Sequence, residues 1–127
     1  MKRMTSLLAL LLLCSCFESP ERECKDFKTG KFQFDYEVNG VKKTTTFVRT
    51  EHQEIDFYEG KSDTSSIKWI NDCEYVIQKI NPKNMQEKKA IAMKILTTSK
   101  NSYTFEFGIV GSPDKQVGTV KKIEDED

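Results

Sequence analysis

The sequence is poor in the residues on which catalytic and metal sites most often depend. His52 is the only histidine, so no pair of histidines is available to hold a metal ion. Neither a Cys-x-x-Cys spacing nor an acidic calcium loop is present. No serine or cysteine nucleophile lies in a recognisable motif, and Gly-rich phosphate loops are absent. The sequence therefore predicts a protein that is not an enzyme and that uses neither cofactor nor metal.

The chain has no excess of positive or negative charge. Lysine and arginine together number 20, as do aspartate and glutamate, and the formal net charge at pH 7 is zero. A protein that binds nucleic acid needs a clustered basic surface. The mixed charges therefore predict no nucleic-acid partner. Beyond residue 16, no apolar run approaches the length of a membrane span.

The first 16 residues carry the clearest positive signal. Lys2 and Arg3 form a basic start, and Leu7–Leu13 form an apolar run too short to span a bilayer. Leu13-Cys14-Ser15-Cys16 follows and resembles the lipobox of bacterial lipoprotein precursors: a leucine, a small residue and the cysteine that receives the lipid. An ordinary secretory signal and a buried Leu-rich helix are the alternatives.

These features predict a signal peptide over 1–15 and a lipid anchor on Cys16. Removal of the signal peptide leaves about 110 residues, enough for one domain. We predict a polar tether over 16–29, a β-barrel domain over 30–123 and a solvated acidic tail over 124–127. The membrane is the predicted partner, reached through the N-terminal lipid. The predicted location is the cell envelope, in the outer membrane, facing the periplasm or the surface.

The remaining cysteines predict a disulfide. Cys24 and Cys73 are the two left once the leader and the lipidated residue are set aside. In an oxidising compartment, two such thiols favour a covalent bond. It would close a loop of about 50 residues, worth roughly 4 kcal/mol. The alternative is two buried free thiols that act as small hydrophobic side chains.

A period of two runs through the chain from Gly30 onward, as expected of half-buried strands. Asn39-Gly40 is typical of a tight hairpin turn. The predicted strands are Gly30–Val38, Val41–Thr50, Gln53–Tyr58, Ser65–Asn71, Glu74–Ile80, Ala90–Thr97, Tyr103–Val110 and Val117–Ile123. Short strands joined by short turns predict an all-β fold, a single antiparallel meander closed into a small lipocalin-like barrel. A β-sandwich is the alternative.

Four segments carry a family resemblance: Phe27-Lys28-Thr29-Gly30-Lys31-Phe32, Val38-Asn39-Gly40, Ser65-Ser66-Ile67-Lys68-Trp69-Ile70-Asn71-Asp72-Cys73-Glu74-Tyr75 and Asn101-Ser102-Tyr103-Thr104-Phe105-Glu106-Phe107. They resemble a family of small lipoproteins from Bacteroidota, especially flavobacteria, over nearly the whole mature chain. Such chains are sometimes labelled topoisomerase IV, a label that a short exported chain without a basic surface does not support. Lipocalins open with Gly-x-Trp where this chain has Gly30-Lys31-Phe32, so the lipocalin comparison concerns architecture alone.

Strand alternation also predicts which side chains face inward: Phe32, Phe34, Tyr36, Phe47, Ile55, Phe57, Ile67, Trp69, Tyr75, Ile77, Ile91, Met93, Ile95, Tyr103, Phe105, Phe107 and Ile109. So many aromatic rings favour a filled core. The alternative is an aromatic-lined pocket for a small apolar ligand.

Two functions follow from these alternatives. A filled barrel predicts a structural or interaction module that meets an envelope protein partner. A hollow barrel predicts a carrier or sensor of a small apolar ligand, and a cavity of several hundred Å³ would favour it. Arg49 and Lys79, in phase with the core near strand ends, are candidates for contact with a ligand's polar head, and Trp69 is a candidate in the aromatic lining.

Overall fold

Alternating side chains and tight turns place most of the chain in eight strands. The computed structural model of the protein describes residues 22–124. A 3₁₀ helix, Cys24–Phe27, comes first. The strands are β1 (Gly30–Val38), β2 (Val41–Arg49), β3 (Gln53–Tyr58), β4 (Lys61–Asn71), β5 (Glu74–Lys79), β6 (Ile91–Thr98), β7 (Ser102–Ile109) and β8 (Gln116–Glu124).

The eight strands form a closed antiparallel barrel. Each strand pairs with the next along the chain, and β8 returns to pair with β1. Asn39 and Gly40 join β1 to β2 with φ angles of 51° and 79°. Glycine tolerates such angles because it lacks a Cβ, and Asn tolerates them better than most residues. The predicted all-β meander barrel is confirmed, rather than the β-sandwich.

One end of the barrel is closed by the 3₁₀ helix. Phe27 is 1% exposed, and its ring meets Tyr103 edge-on at 5.2 Å between centroids. Lys122 Nζ donates to the Asp26 carbonyl at 2.6 Å and so ties the helix to β8. The buried core gathers at this end: Cys24, Phe27, Phe32, Phe47, Ile95, Tyr103, Phe105 and Val120.

The predicted disulfide between Cys24 and Cys73 is confirmed. It joins the 3₁₀ helix to the turn between β4 and β5, with 5.2 Å between the two Cα atoms. Lys28 Nζ and Asp72 Oδ1 form a salt bridge at 3.0 Å beside it. The bond therefore fixes the closing helix to the barrel wall.

Two boundaries differ from the sequence prediction by more than one residue. Cys24 and Phe27 lie in the core, so the domain begins before Gly30 and the segment predicted as a tether over 16–29 ends too late. Strand β4 begins at Lys61 rather than Ser65, because its first residues pair with the end of β3 across the Glu59-Gly60 turn. Polar side chains in that stretch hide a strand from a hydrophobicity pattern.

The predicted orientation of β3 is wrong by one residue. Ile55 and Phe57 were expected inside, but Phe57 is 42% exposed whereas Glu54 is 7% exposed. Pairing explains the inversion, because Arg49 stands opposite Glu54 and Phe47 opposite Asp56. Paired residues on neighbouring strands face the same side of the sheet. The acidic side chains therefore point into the barrel.

Several predictions from the sequence fall outside residues 22–124. These are the signal peptide over 1–15, the lipid anchor on Cys16, the first part of the tether and all of the acidic tail except Glu124. Between residues 22 and 124, no helix is both long enough and apolar enough to cross a membrane.

Candidate ligand-binding cavity

The closed end of the barrel is organised around one buried arginine. Arg49 is 1% exposed. Its Nη1 donates to the Phe27 carbonyl at 2.7 Å, and its Nη2 donates to the hydroxyls of Tyr75 and Tyr103, each at 2.8 Å. Both Nε and Nη2 also donate to Glu54 Oε1, at 3.2 and 3.1 Å. The guanidinium therefore links four parts of the barrel end.

Aromatic rings surround this guanidinium. The Arg49 Cζ atom lies 4.7 Å from the ring centroid of Phe32, 4.9 Å from that of Tyr75 and 5.3 Å from that of Phe47. A planar cation stacks favourably on ring faces, especially where water is excluded. The rings and the hydrogen bonds together hold the charge inside the fold.

The ionisation of this cluster follows from its burial. Burial by itself would lower the pKa of Arg49, but Tyr103, Tyr75 and Glu54 outweigh it and raise the pKa, so the guanidinium stays charged. Burial raises the pKa of Glu54 against the opposing pull of Arg49. Burial also raises the pKa of Tyr75 well above its ordinary value, so its hydroxyl keeps its proton.

A cavity of about 420 Å³ occupies the opposite part of the barrel. Most of its wall is apolar and comes from β1, β5, β6 and β7. The apolar lining side chains are Phe34, Ile77, Ile91, Met93, Phe105, Phe107 and Ile109. Exposed residues of the segment between β5 and β6, Gln86 and Lys89, stand at its rim. The cavity therefore opens at the end of the barrel away from the disulfide.

A smaller cavity of about 170 Å³ lies deeper, against Arg49 and Tyr103. It shares part of its lining with the larger one, which extends the hollow interior toward the closed end. The shared residues are Phe34, Glu54, Asp56, Met93 and Phe105.

The wall built by β3 and β4 is polar. Glu54 pairs with Ser65, and Asp56 pairs with Asp63 across the two strands. Glu54, Asp56 and Ser65 all line the larger cavity, and Ser65 is only 4% exposed. The cavity thus has an apolar wall that faces a wall of hydrogen-bond acceptors.

Asp56 has an unusual environment within this polar wall. Among residues 22–124, no hydrogen bond or salt bridge reaches its carboxylate. Burial, together with the negative charges of Glu54 and Asp63, raises the pKa of Asp56 to about 7, and Arg49 and Lys79 only partly oppose this. Asp56 therefore changes its charge near neutral pH.

Lys79 lies near the rim and is held by two carboxylates. Its Nζ atom is 2.8 Å from Asp63 Oδ2 and 2.7 Å from Glu87 Oε1. These hydrogen bonds raise the pKa of Lys79 and lower that of Glu87. The cluster fixes the segment between β5 and β6 above the cavity.

Trp69 does not line the cavity of about 420 Å³. It lines a separate hollow of about 410 Å³ with His52 and Lys28, whose Nζ atom sits 5.0 Å from the Trp69 ring centroid. Its Nε1 atom is buried and has no hydrogen-bond partner among the residues described. Its ring packs on Tyr75 at 4.5 Å between centroids.

The three residues predicted to contact a ligand are therefore not brought together. Arg49 faces only the deeper cavity, with its donors engaged by protein atoms; Lys79 lies at the rim; Trp69 lies elsewhere. Glu54 and Asp56 were missed, because alternation puts Ile55 and Phe57 on the other side of the strand and assigns that apolar side to the interior. Arg49, predicted to face inward on the neighbouring strand β2, was the one signal that an acidic partner on β3 also faces inward.

Within the described part of the chain, no group of three or more His, Cys, Asp or Glu side chains is arranged to hold a metal ion. Comparisons of the chain with protein-family models, with curated proteins and with solved structures found no match.

Proposed function

We propose that this protein is a lipid-anchored lipoprotein of the cell envelope that holds one small apolar molecule in its barrel, as a carrier or a sensor. The lipobox-like sequence at Cys16 supports the location. The cavity carries the binding activity in this proposal. Its volume of about 420 Å³ lies within the range of small-molecule sites, and most of its lining is apolar.

The arrangement of the two barrel ends supports the same proposal. At one end, the 3₁₀ helix, the disulfide and the Arg49 cluster form a closed floor. The other end opens at the segment between β5 and β6. A hollow with a rigid floor and one opening suits a ligand that enters and leaves without unfolding the barrel.

Native mass spectrometry of the lipoprotein, purified gently from its own membrane, tests the proposal. We expect the native mass to exceed the denatured mass by a few hundred daltons, the mass of a bound small molecule. Ile109→Trp, which fills the rim of the cavity, should lose this extra mass. Val110→Trp is the matched control. Val110 is 53% exposed, so this substitution adds the same ring outside the barrel.

A structural or interaction module remains the second candidate. Large apolar side chains on the outer surface favour it, among them Ile70 at 67% exposed and Val117 at 62%. A second polypeptide that stays bound in the native spectrum, with no small molecule, would favour this function. A bare chain in every preparation would contradict the carrier proposal.

A further inference from the structure

The polar wall of the cavity holds several acceptors that no protein donor satisfies. Asp56 has no hydrogen-bond donor among residues 22–124, and the same holds for the Ser65 hydroxyl, although Ser65 is 4% exposed. Glu54 uses only Oε1 for Arg49, which leaves Oε2 without a donor in the described chain. These oxygens are reachable from the cavity, because among residues 22–124 the buried side-chain nitrogen or oxygen without a hydrogen-bond partner is Trp69 Nε1. A ligand that displaces water from the cavity must donate to them, since a polar group cut off from water is costly without a partner. The arrangement therefore favours a ligand that brings donors.

The charges around the cavity also favour a cation. Glu54 offsets the positive charge of Arg49, and Lys79 is already shared between Asp63 and Glu87. Asp56 is thus left as an uncompensated negative charge inside the barrel. Lys89 is the other cation in the lining, but it is exposed at the rim.

The orientation of an amphiphilic ligand follows from this distribution. A fatty acid would set its carboxylate at the rim beside Lys89 and would press its hydrocarbon tail onto Asp56, which would then be buried with no donor. A ligand with an ammonium head can instead place its three N–H donors against acceptors on β3 and β4. Its hydrocarbon body then contacts the apolar wall formed by Ile91, Phe105 and Phe107.

We propose that the ligand is an apolar molecule with one primary amine, bound with its ammonium group against Asp56, Glu54 and Ser65. This inference rests on the proposed function, since it names the chemical class of the molecule that the cavity holds. Glu54 and Ser65 are cross-strand partners and Asp56 follows two residues later on the same face, so the three lie within one small area of wall.

The inference also predicts the effect of pH on binding. Asp56 faces Glu54 on its own strand, Arg49 on β2, Asp63 on β4 and Lys79 on β5, and its pKa is raised to about 7. Below that pH it gains a proton and no longer attracts a cation. Amine binding should therefore weaken between pH 8 and pH 6, whereas an alkyl amine, like a lysine side chain, keeps its proton throughout.

Three ligands with the same chain and different heads test the inference: decylamine, decanol and decanoic acid. Binding is measured by titration calorimetry on the full chain in lipid nanodiscs at pH 8, with empty nanodiscs subtracted. We expect decylamine to bind at least about tenfold more tightly than decanoic acid, as for a hydrogen bond to a charged group. Asp56→Asn should remove this preference. Asp35→Asn is the matched control, because Asp35 is exposed on the outer surface.

The outcomes separate the two proposals. Equal binding of all three ligands, or tighter binding of decanoic acid, would overturn the amine inference and leave the carrier function intact. Binding of none of the three would overturn both. The comparison on the unmodified protein decides the question even if Asp56→Asn does not fold.

Discussion

Arg49 and Glu54 stand directly opposite each other on β2 and β3, and both side chains turn into the barrel. Two nitrogen atoms of Arg49 donate to the same oxygen, Glu54 Oε1, at 3.2 and 3.1 Å. A buried ion pair adds little stability compared with apolar side chains in the same place. The loss of one partner, however, leaves the other as an unpaired buried charge. The pair therefore matters most for the conformation that it imposes: it sets the orientation of β3 and, with it, the position of Asp56.

Arg49→Leu should destabilise the protein by about 3–5 kcal/mol, because a buried Glu54 is left unpaired and the Phe27 carbonyl loses its donor. The double variant Arg49→Leu, Glu54→Leu should recover part of this loss. Urea unfolding followed by circular dichroism measures both. A loss below 1 kcal/mol for the single variant would contradict the role assigned to the pair.

Asp56 should make the protein less stable as the pH rises. Its pKa is near 3.8 in the unfolded chain and about 7 in the fold, so the folded state binds more protons between these values. The free energy of unfolding should therefore fall from about pH 4 to pH 7 by at most ~1.4 kcal/mol per pH unit from this group, and level off above. Urea unfolding at several pH values measures the slope.

Asp56→Asn should remove this part of the slope and should be more stable than the native sequence at pH 8, by roughly 1–3 kcal/mol. Asp72→Asn is the control. Lys28 lowers the pKa of the exposed Asp72, so its replacement should leave the fall between pH 4 and pH 7 in place. Equal slopes for the native chain and Asp56→Asn would show that Asp56 titrates normally.

The sequence was sufficient to predict the meander, most strand positions and the disulfide. The strands depend on local signals, namely side-chain alternation and the Asn39-Gly40 turn, and the disulfide follows from Cys24 and Cys73 being the two cysteines left for pairing. Each signal acts within a strand, a turn or one covalent bond. Such signals survive in a single sequence because no distant packing overrides them.

The cavity and its polar wall were not predictable in the same way. Alternation assigns the apolar side of a strand to the interior, and in β3 the pairing with Arg49 reverses that assignment. The volume of the cavity depends on how side chains from many strands pack together, so a count of inward rings does not give that volume. Phe57, expected inside, is 42% exposed, and Asp56 faces the interior instead. The interior was therefore expected to be fuller and less polar than it is.

Removal of the disulfide should cost roughly 4 kcal/mol in the chain-entropy model. Cys24 and Cys73 are 49 residues apart, and the bond also fixes the closing helix, so its loss should loosen the floor of the barrel. Dithiothreitol should lower the urea midpoint of the native chain. The double variant Cys24→Ser, Cys73→Ser should already show the lower midpoint and should not respond. A native midpoint unchanged by complete reduction would contradict the prediction.

Membrane attachment should depend on Cys16 and not on Cys14. In the lipobox-like sequence, Cys16 follows the small residue Ser15, whereas Cys14 follows the bulky Leu13. Cys16→Ala should therefore move the protein from the membrane fraction to the soluble fraction, because the acyl chains have no other acceptor. Cys14→Ala is the matched control and should stay with the membrane. Fractionation and immunoblotting compare the two variants, and attachment of the Cys16→Ala chain would mean that another segment holds it there.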